Sequence, residues 1–288
     1  MQRNATTRYP VLLVHGLFGL DRISGQEPFL EVRQALQAAG TQVFVPYLSI
    51  PHSNELRGEQ LLAQIDRVLL GTGAARVNLI GHSQGALAAR YAAALAPGKV
   101  ASVTSVSGPN HGSELADFLL KALVPGRLPH RTARSAATLF CDLLSLLSGR
   151  PALQPGAVAT LKALSTTAVG SFNDRFPQGL PATWGGQGAG QVNGVRYYSW
   201  AGSLAEDERS TDRPNGICRS LSRFFTTEAG QNDGFVGRHS SHLGTVIRSD
   251  YPLGHLESLI RTDGQRLPGP DPVGLYVEHA IRLREANL

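Results

Sequence analysis

"VNLIGHSQGALAARYAAA", residues 77–94, changes character in its middle. Val77, Leu79 and Ile80 suit a buried strand, whereas the alanine-rich run from Ala86 to Ala96 suits a helix. Only Gly-His-Ser-Gln-Gly separates the two, and Ser83 stands where the chain turns. A serine at such a junction can be held in a strained backbone conformation that projects its hydroxyl clear of the sheet, which is a nucleophile elbow. Gly81 and Gly85 lie two positions away on either side, where a side chain would collide with the neighbouring strand and helix. Ser83 also heads the helix, whose free N–H groups and dipole favour a developing negative charge. A tight turn with an incidental serine is the alternative; the strand before it and the helix after it argue for the elbow.

The rest of the chain extends this pattern. Residues 11–14, 43–45, 77–80 and 100–106 are short apolar runs rich in β-branched residues, as expected of strands buried on both faces. Between them, "FLEVRQALQAAG" places Phe29, Val32 and Leu36 on one helical face and ends at Gly40. "EQLLAQIDRVLLGTG" does the same with Leu61, Leu62, Ile65 and Leu69, and is expected to end at Gly71. Strand and helix alternating in this way predict an α/β fold: one domain over residues 1–288, with a central, mostly parallel sheet, right-handed crossovers and helices on both faces. After residue 108 the alternation breaks. A mostly helical insertion over about 112–190 precedes renewed strand character at 195–202.

Composition excludes several classes. With 42% hydrophobic and 17% charged residues over 288 positions, the chain is neither disordered nor collagen-like. No apolar run is long enough to cross a bilayer. The opening "MQRNATTRYP" has no apolar signal-peptide core, so secretion would need a route without a cleaved N-terminal signal, the other expectation being the cytoplasm. The net charge of +5 comes from scattered arginines; Lys121, Arg127, Arg131 and Arg134 are the nearest approach to a cluster, and no nucleic-acid motif accompanies them. Cys141 and Cys218 form no metal pattern and are both expected to be free.

A serine hydroxyl is too weakly acidic to attack an ester unaided. It needs a histidine to take its proton and a carboxylate to orient that histidine. In α/β-hydrolases the chain order is serine, acid, histidine. His15 precedes Ser83, His82 adjoins it facing away, and His279 falls in a C-terminal helical pattern, which leaves His239, His242 and His255. Asp233, in the turn sequence "QNDGFVG", is the candidate acid, and chain order does not choose between His242 and His255. The oxyanion needs two donors. One is the N–H of Gln84, and the other is the N–H of Leu17, which follows the strand end at His15-Gly16.

These segments resemble the bacterial true lipases of the Pseudomonas and Proteus type, which are triacylglycerol hydrolases with the α/β-hydrolase fold. The resemblance is collinear through "YPVLLVHGLFG", "ELRGEQLL", "VNLIGHSQG", "VASVTSVSGPNHGSELADF", "FNDRFPQGLP", "VNGVRYYSW", "QNDGFVG", "SSHLGTVIR" and "HLESL". It implies Ser83 as nucleophile, Asp233 as acid and His255 as base, with Leu17 and Gln84 as oxyanion donors. It also implies a structural calcium ion that steadies the histidine loop. Asp212 matches one carboxylate ligand; the other is Glu257, where the family has aspartate two residues after the histidine. The Pseudomonas-type members carry a disulfide between these loops. This chain has no cysteines there, which aligns it with the Proteus-type branch.

"AATLFCDLLSLL", residues 136–147, sets Leu139, Phe140, Leu143, Leu144 and Leu147 on one helical face with Thr138, Asp142 and Ser145 opposite. An amphipathic helix packed on the core would read the same way. Its place in the insertion, together with the resemblance, points to a lid over Ser83 that opens at a lipid–water interface. The sequence therefore predicts a monomeric triacylglycerol lipase acting on acylglycerol esters through an acyl-enzyme, with calcium and no organic cofactor. The alternatives are a short-chain carboxylesterase acting on soluble esters and a non-catalytic binding protein of the same fold.

Overall fold

The apolar runs pair as the alternation of strand and helix requires. In the computed structural model, which describes residues 4–16, 29–49, 52–124, 157–204, 216–259 and 270–288 with a few positions between 126 and 138, they form one mixed sheet. Its strands are β1 (Val11–Val14), β2 (Val43–Phe44), β3 (Val77–His82), β4 (Val100–Val106), β5 (Gln191–Val192), β6 (Val195–Gly202) and β7 (Thr245–Tyr251). They lie in the order β2-β1-β3-β4-β6, with the short β5 and then β7 along the remaining edge of β6. Among the pairings of these described strands, only β5–β6 is antiparallel. Every residue of β1, β3 and β4 is buried, as strands covered on both faces must be.

The helices are α1 (Leu30–Ala38), α2 (Asn54–Thr72), α3 (Gln84–Leu95), α4 (Glu114–Ala122), α5 (Ala157–Leu164), α6 (Thr166–Arg175), α7 (Gly216–Ser222) and α8 (Pro272–Glu285). Because successive strand residues point to opposite faces, each inner strand feeds two cores. Leu12, Val14 and Leu79 pack with Leu61 and Ile65 of α2 and with Ala88 and Ala92 of α3. Leu13 and Ile80 join the other core, which holds Val32 and Leu36 of α1 and Tyr276 and Ala280 of α8.

Some boundaries differ from the sequence expectation. β3 runs on through His82. α2 begins at Asn54, where Ser53 Oγ caps it by accepting Leu56 N–H at 3.2 Å, and it passes through Gly71 to end at Thr72. Gly73, with φ 70°, is the left-handed residue that stops the helix. β7 was not foreseen because it is a half-exposed edge strand with no clean alternation of apolar residues. Between β4 and β6 lie α4, α5 and α6, within the span expected to hold the insertion, and β5 just after it. Leu139, Phe140, Leu143, Leu144 and Leu147, expected to form a lid face, fall outside the described residues.

The parallel strands bring their C-terminal ends to one side of the sheet. His15, Ser83, Leu204 and His255 follow β1, β3, β6 and β7 there, at the edge where open α/β sheets place their sites.

Candidate active site

Ser83 has φ 55° and ψ −128°, a conformation that costs a non-glycine residue about 1–3 kcal/mol. Its surroundings enforce it. The N–H of Ser83 donates to Val106 O at 2.9 Å, and its carbonyl accepts Ala86 N–H at 3.0 Å. A Cβ on Gly85 would lie 2.1 Å from Val14 O, and one on Gly81 would lie 2.5 Å from Gly85 O, so the elbow rests directly on β1 and on its own helix. The two flanking glycines are therefore demanded by contact.

The end of β1 is pressed against the same turn. A Cβ on Gly16 would come within 2.8 Å of Ser83 Cβ and 3.3 Å of Gln84 N. Leu17, the expected second oxyanion donor, lies outside the described residues. What holds its predecessor is visible. Arg57, fully buried in α2, donates from Nη2 to His15 O at 2.5 Å and to Gly16 O at 3.3 Å, and from Nη1 to Ser49 O at 3.0 Å. Burial pulls this guanidinium down to about 10, still charged at neutral pH. His15 Nε2 accepts Leu48 N–H at 3.1 Å, so Nδ1 carries the proton and donates to Gly16 O at 3.0 Å. Burial, and then the charge of Arg57, lower His15 to about 4, which keeps the ring neutral. Gln84 Nε2 donates to His52 O and to Asn54 Oδ1, tying the start of α3 to that of α2.

Asp233 is wholly buried in a turn that its own side chain closes. Oδ1 accepts Phe235 N–H at 3.0 Å and Val236 N–H at 2.8 Å. Leu204 N–H, after β6, reaches Asn232 O at 2.8 Å and fastens this turn to the sheet. The free face of the carboxylate, Oδ2, accepts the Nδ1–H of His255 at 2.8 Å, and His255 N–H donates to Asp233 O at 2.9 Å. His255 is also wholly buried. The Phe235 ring stacks on it with centroids 4.7 Å apart and planes at 21°.

The other histidines are placed elsewhere. His242 sends Nδ1 to Gly186 O at 2.9 Å and is lowered by burial. His239 packs against Trp184 and against His242. His279 is buried in α8 against Thr104 Oγ1 at 2.7 Å. His82 is buried at the end of β3, with Nε2 3.1 Å from His255 O and 2.9 Å from Ser258 Oγ.

Of the two expected calcium ligands, Glu257 is described and Asp212 is not. Glu257 is buried in the histidine turn, where Oε2 accepts Gly254 N–H at 2.8 Å. A carboxylate held there is a hard oxygen donor of the kind calcium takes, although the described residues contain no group of three or more acidic, histidine or cysteine side chains arranged to hold a metal. Cys218 is free and buried, its thiol pushed up to about 12 by burial, while Cys141 lies outside the described residues.

A family model described as alpha/beta hydrolase fold matches residues 9–236. A triacylglycerol lipase of Pseudomonas fragi is 54% identical over an alignment covering the whole of both chains. The chain belongs to the bacterial triacylglycerol lipase family. Another triacylglycerol lipase, from Vibrio cholerae, is 43% identical over 98% of this chain and 89% of its own. Among solved structures, a metagenomic carboxyl esterase superposes with a TM-score of 0.67 at 19% identity, covering 99% of this chain and 78% of that one. A mature Bacillus licheniformis lipase superposes with a TM-score of 0.58 at 21% identity, covering 86% and 84%. Both show the shared fold.

For this lipase-family chain, sequence reading passed over three side chains that hold the site. Arg57 carried a signal, because Arg57, Leu61 and Ile65 are spaced four apart and share the buried stripe of α2. A charge in an apolar register needs partners, and the carbonyls after β1 supply them. His82 and Phe235 gave no comparable signal, since their neighbours come from distant parts of the chain.

Proposed function

We propose that the protein is a triacylglycerol lipase that cleaves acylglycerol esters through an acyl-enzyme on Ser83. Ser83 Oγ attacks the acyl carbon while His255 Nε2 takes its proton. Because Asp233 accepts the Nδ1–H, the lone pair of the neutral ring sits on Nε2. The N–H groups of Gln84 and Leu17 stabilise the tetrahedral oxyanion, and the N-terminus of α3 favours the same charge. His255 then protonates the departing alcohol. Water, activated by the same imidazole, releases the fatty acid and restores Ser83.

The observation that carries this reading is the strained Ser83 elbow, seated against Gly16 and at the head of α3. The full-length relationship to triacylglycerol lipases supports the substrate class. No helix among the described residues is long and apolar enough to cross a membrane. In this reading the enzyme works as a monomer that meets lipid at the water interface, with the 136–147 segment as its lid. Asp212 and Glu257 hold a structural calcium ion that braces the histidine loop, the ion taking no part in the reaction. A hydrolysis profile across acyl-chain lengths, with emulsified and dissolved esters, tests the assignment. Turnover of emulsified long-chain triacylglycerol is expected; activity confined to dissolved short esters would instead make the protein a carboxylesterase.

A further inference from the structure

His82 is the residue before the nucleophile, yet its side chain turns away from Ser83 into the loop that carries His255. It is fully buried. Nε2 lies 3.1 Å from the carbonyl oxygen of His255 and 2.9 Å from Ser258 Oγ. Ser258 spends its own hydroxyl proton on His255 O, at 2.7 Å, so its oxygen can only accept from His82. The tautomer follows: Nε2 of His82 carries the hydrogen and shares it between both oxygens. Nδ1, the other ring nitrogen, is buried with no hydrogen-bond partner among the described residues, and a proton there would be left unsatisfied. Burial first, and then the adjoining His255, hold His82 well below the ordinary histidine range, in keeping with a neutral ring.

We propose that His82 is a positioning residue, a neutral imidazole that fixes the backbone carrying His255 to the end of β3 and so sets the base in register with Ser83. The turn it grips is closed by the Ser258 hydroxyl donating to the backbone carbonyl of His255, three residues earlier. Tyr276 of α8 secures the far side of that turn, its hydroxyl donating to Ser258 O at 3.0 Å. Asp233 fixes the rotation of the His255 ring but reaches the sheet through a turn of its own. His82 joins nucleophile strand and histidine loop directly, with the ring centroids of His82 and His255 4.7 Å apart. A residue without a donor at this position would leave Ser83 in its elbow and let the base drift, and a misplacement of about 1 Å costs a reaction of this kind up to about 100-fold.

The proposal rests on the triad described above, and the test separates the two. The variants are His82→Leu, His82→Gln, Ser258→Ala and, as control, Ser83→Ala, each assayed on dissolved p-nitrophenyl butyrate so that no lipid surface enters. Glutamine places its Nε2 as many bonds from the backbone as that of histidine and can donate to the same oxygens; leucine has similar bulk and no donor. His82→Leu is expected to lower kcat by about 10- to 100-fold with KM within about twofold of native, and His82→Gln to recover most of that loss. Ser258→Ala should lower kcat in the same sense, and adding it to His82→Leu should cost little more, because both break one clasp. Native kcat in His82→Leu, or glutamine failing as badly as leucine, would overturn the proposal. Should His82→Leu not fold, native kcat in Ser258→Ala overturns it equally. Full activity in Ser83→Ala would instead remove the triad itself.

Discussion

Asp233 and His255 come from loops after different strands, and they meet at 2.8 Å with both side chains wholly buried. The Asp233 carboxylate has little freedom, since two backbone N–H groups already hold its other oxygen. It therefore selects one tautomer of one histidine. Asp233→Asn, which would present an amide to Nδ1, and His255→Ala are each expected to lower kcat by several orders of magnitude. Combining either with Ser83→Ala should add little, because triad members act as a unit. His242→Ala, whose ring is engaged with Gly186 O, should change kcat far less. A severe loss in His242→Ala, seen in steady-state kinetics on a dissolved ester, would contradict this arrangement.

Ser83→Ala should abolish ester hydrolysis and leave the thermal midpoint within about 2 °C of native, since the change removes one oxygen and the turn is held by backbone contacts. An organophosphonate should label Ser83 alone, as read by peptide mass mapping. Label on another serine would reassign the nucleophile.

Calcium is expected to raise the thermal midpoint, because a ligand that binds only the folded chain stabilises it by mass action. Asp212→Ala and Glu257→Ala should each remove that dependence. Metal analysis showing no bound calcium, together with a midpoint indifferent to chelator, would mean that glutamate in place of aspartate has cost the site its ion.

Stability should fall as the solution is acidified below neutrality. Burial lowers His15 to about 4 and His279 to about 3, from 6.5 in the unfolded chain. Below pH 6.5 the unfolded chain takes up protons that these folded residues refuse. Their contribution is therefore complete above that pH and is lost as pH descends towards the folded values. The midpoint in urea should drop between pH 7 and pH 4.5. His279→Gln, whose amide can still donate to Thr104, should flatten that slope. Equal slopes for variant and native protein would count against a neutral buried His279.

The Leu139, Phe140, Leu143 and Leu147 face is tested by Leu143→Asp. If it covers Ser83 in water, opening it exposes apolar surface at about 25 cal/mol per Å², which only a lipid phase returns. Hydrolysis of emulsified long-chain triacylglycerol should then fall at least about tenfold further than that of a dissolved short ester. Parallel losses would mark the segment as ordinary core.

Local chemistry wrote much of this protein into its sequence. The runs at 11–14, 77–80 and 100–106 are strands because their β-branched and apolar residues can be buried only on a sheet covered on both faces. The Ser83 elbow was legible because its two glycines, its strand and its helix are contiguous. Chain order likewise confined the candidate base to His239, His242 or His255. It could go no further, because which ring meets Asp233 depends on how the loops after β6 and β7 cross in space, and neighbours 22 residues apart leave no periodicity to read. The same holds for Arg57 against His15 and Gly16, about 40 residues away, and for His82 against Ser258, 176 residues away. Such contacts arise from the stacking of strands and helices into layers, so only the folded chain decides them.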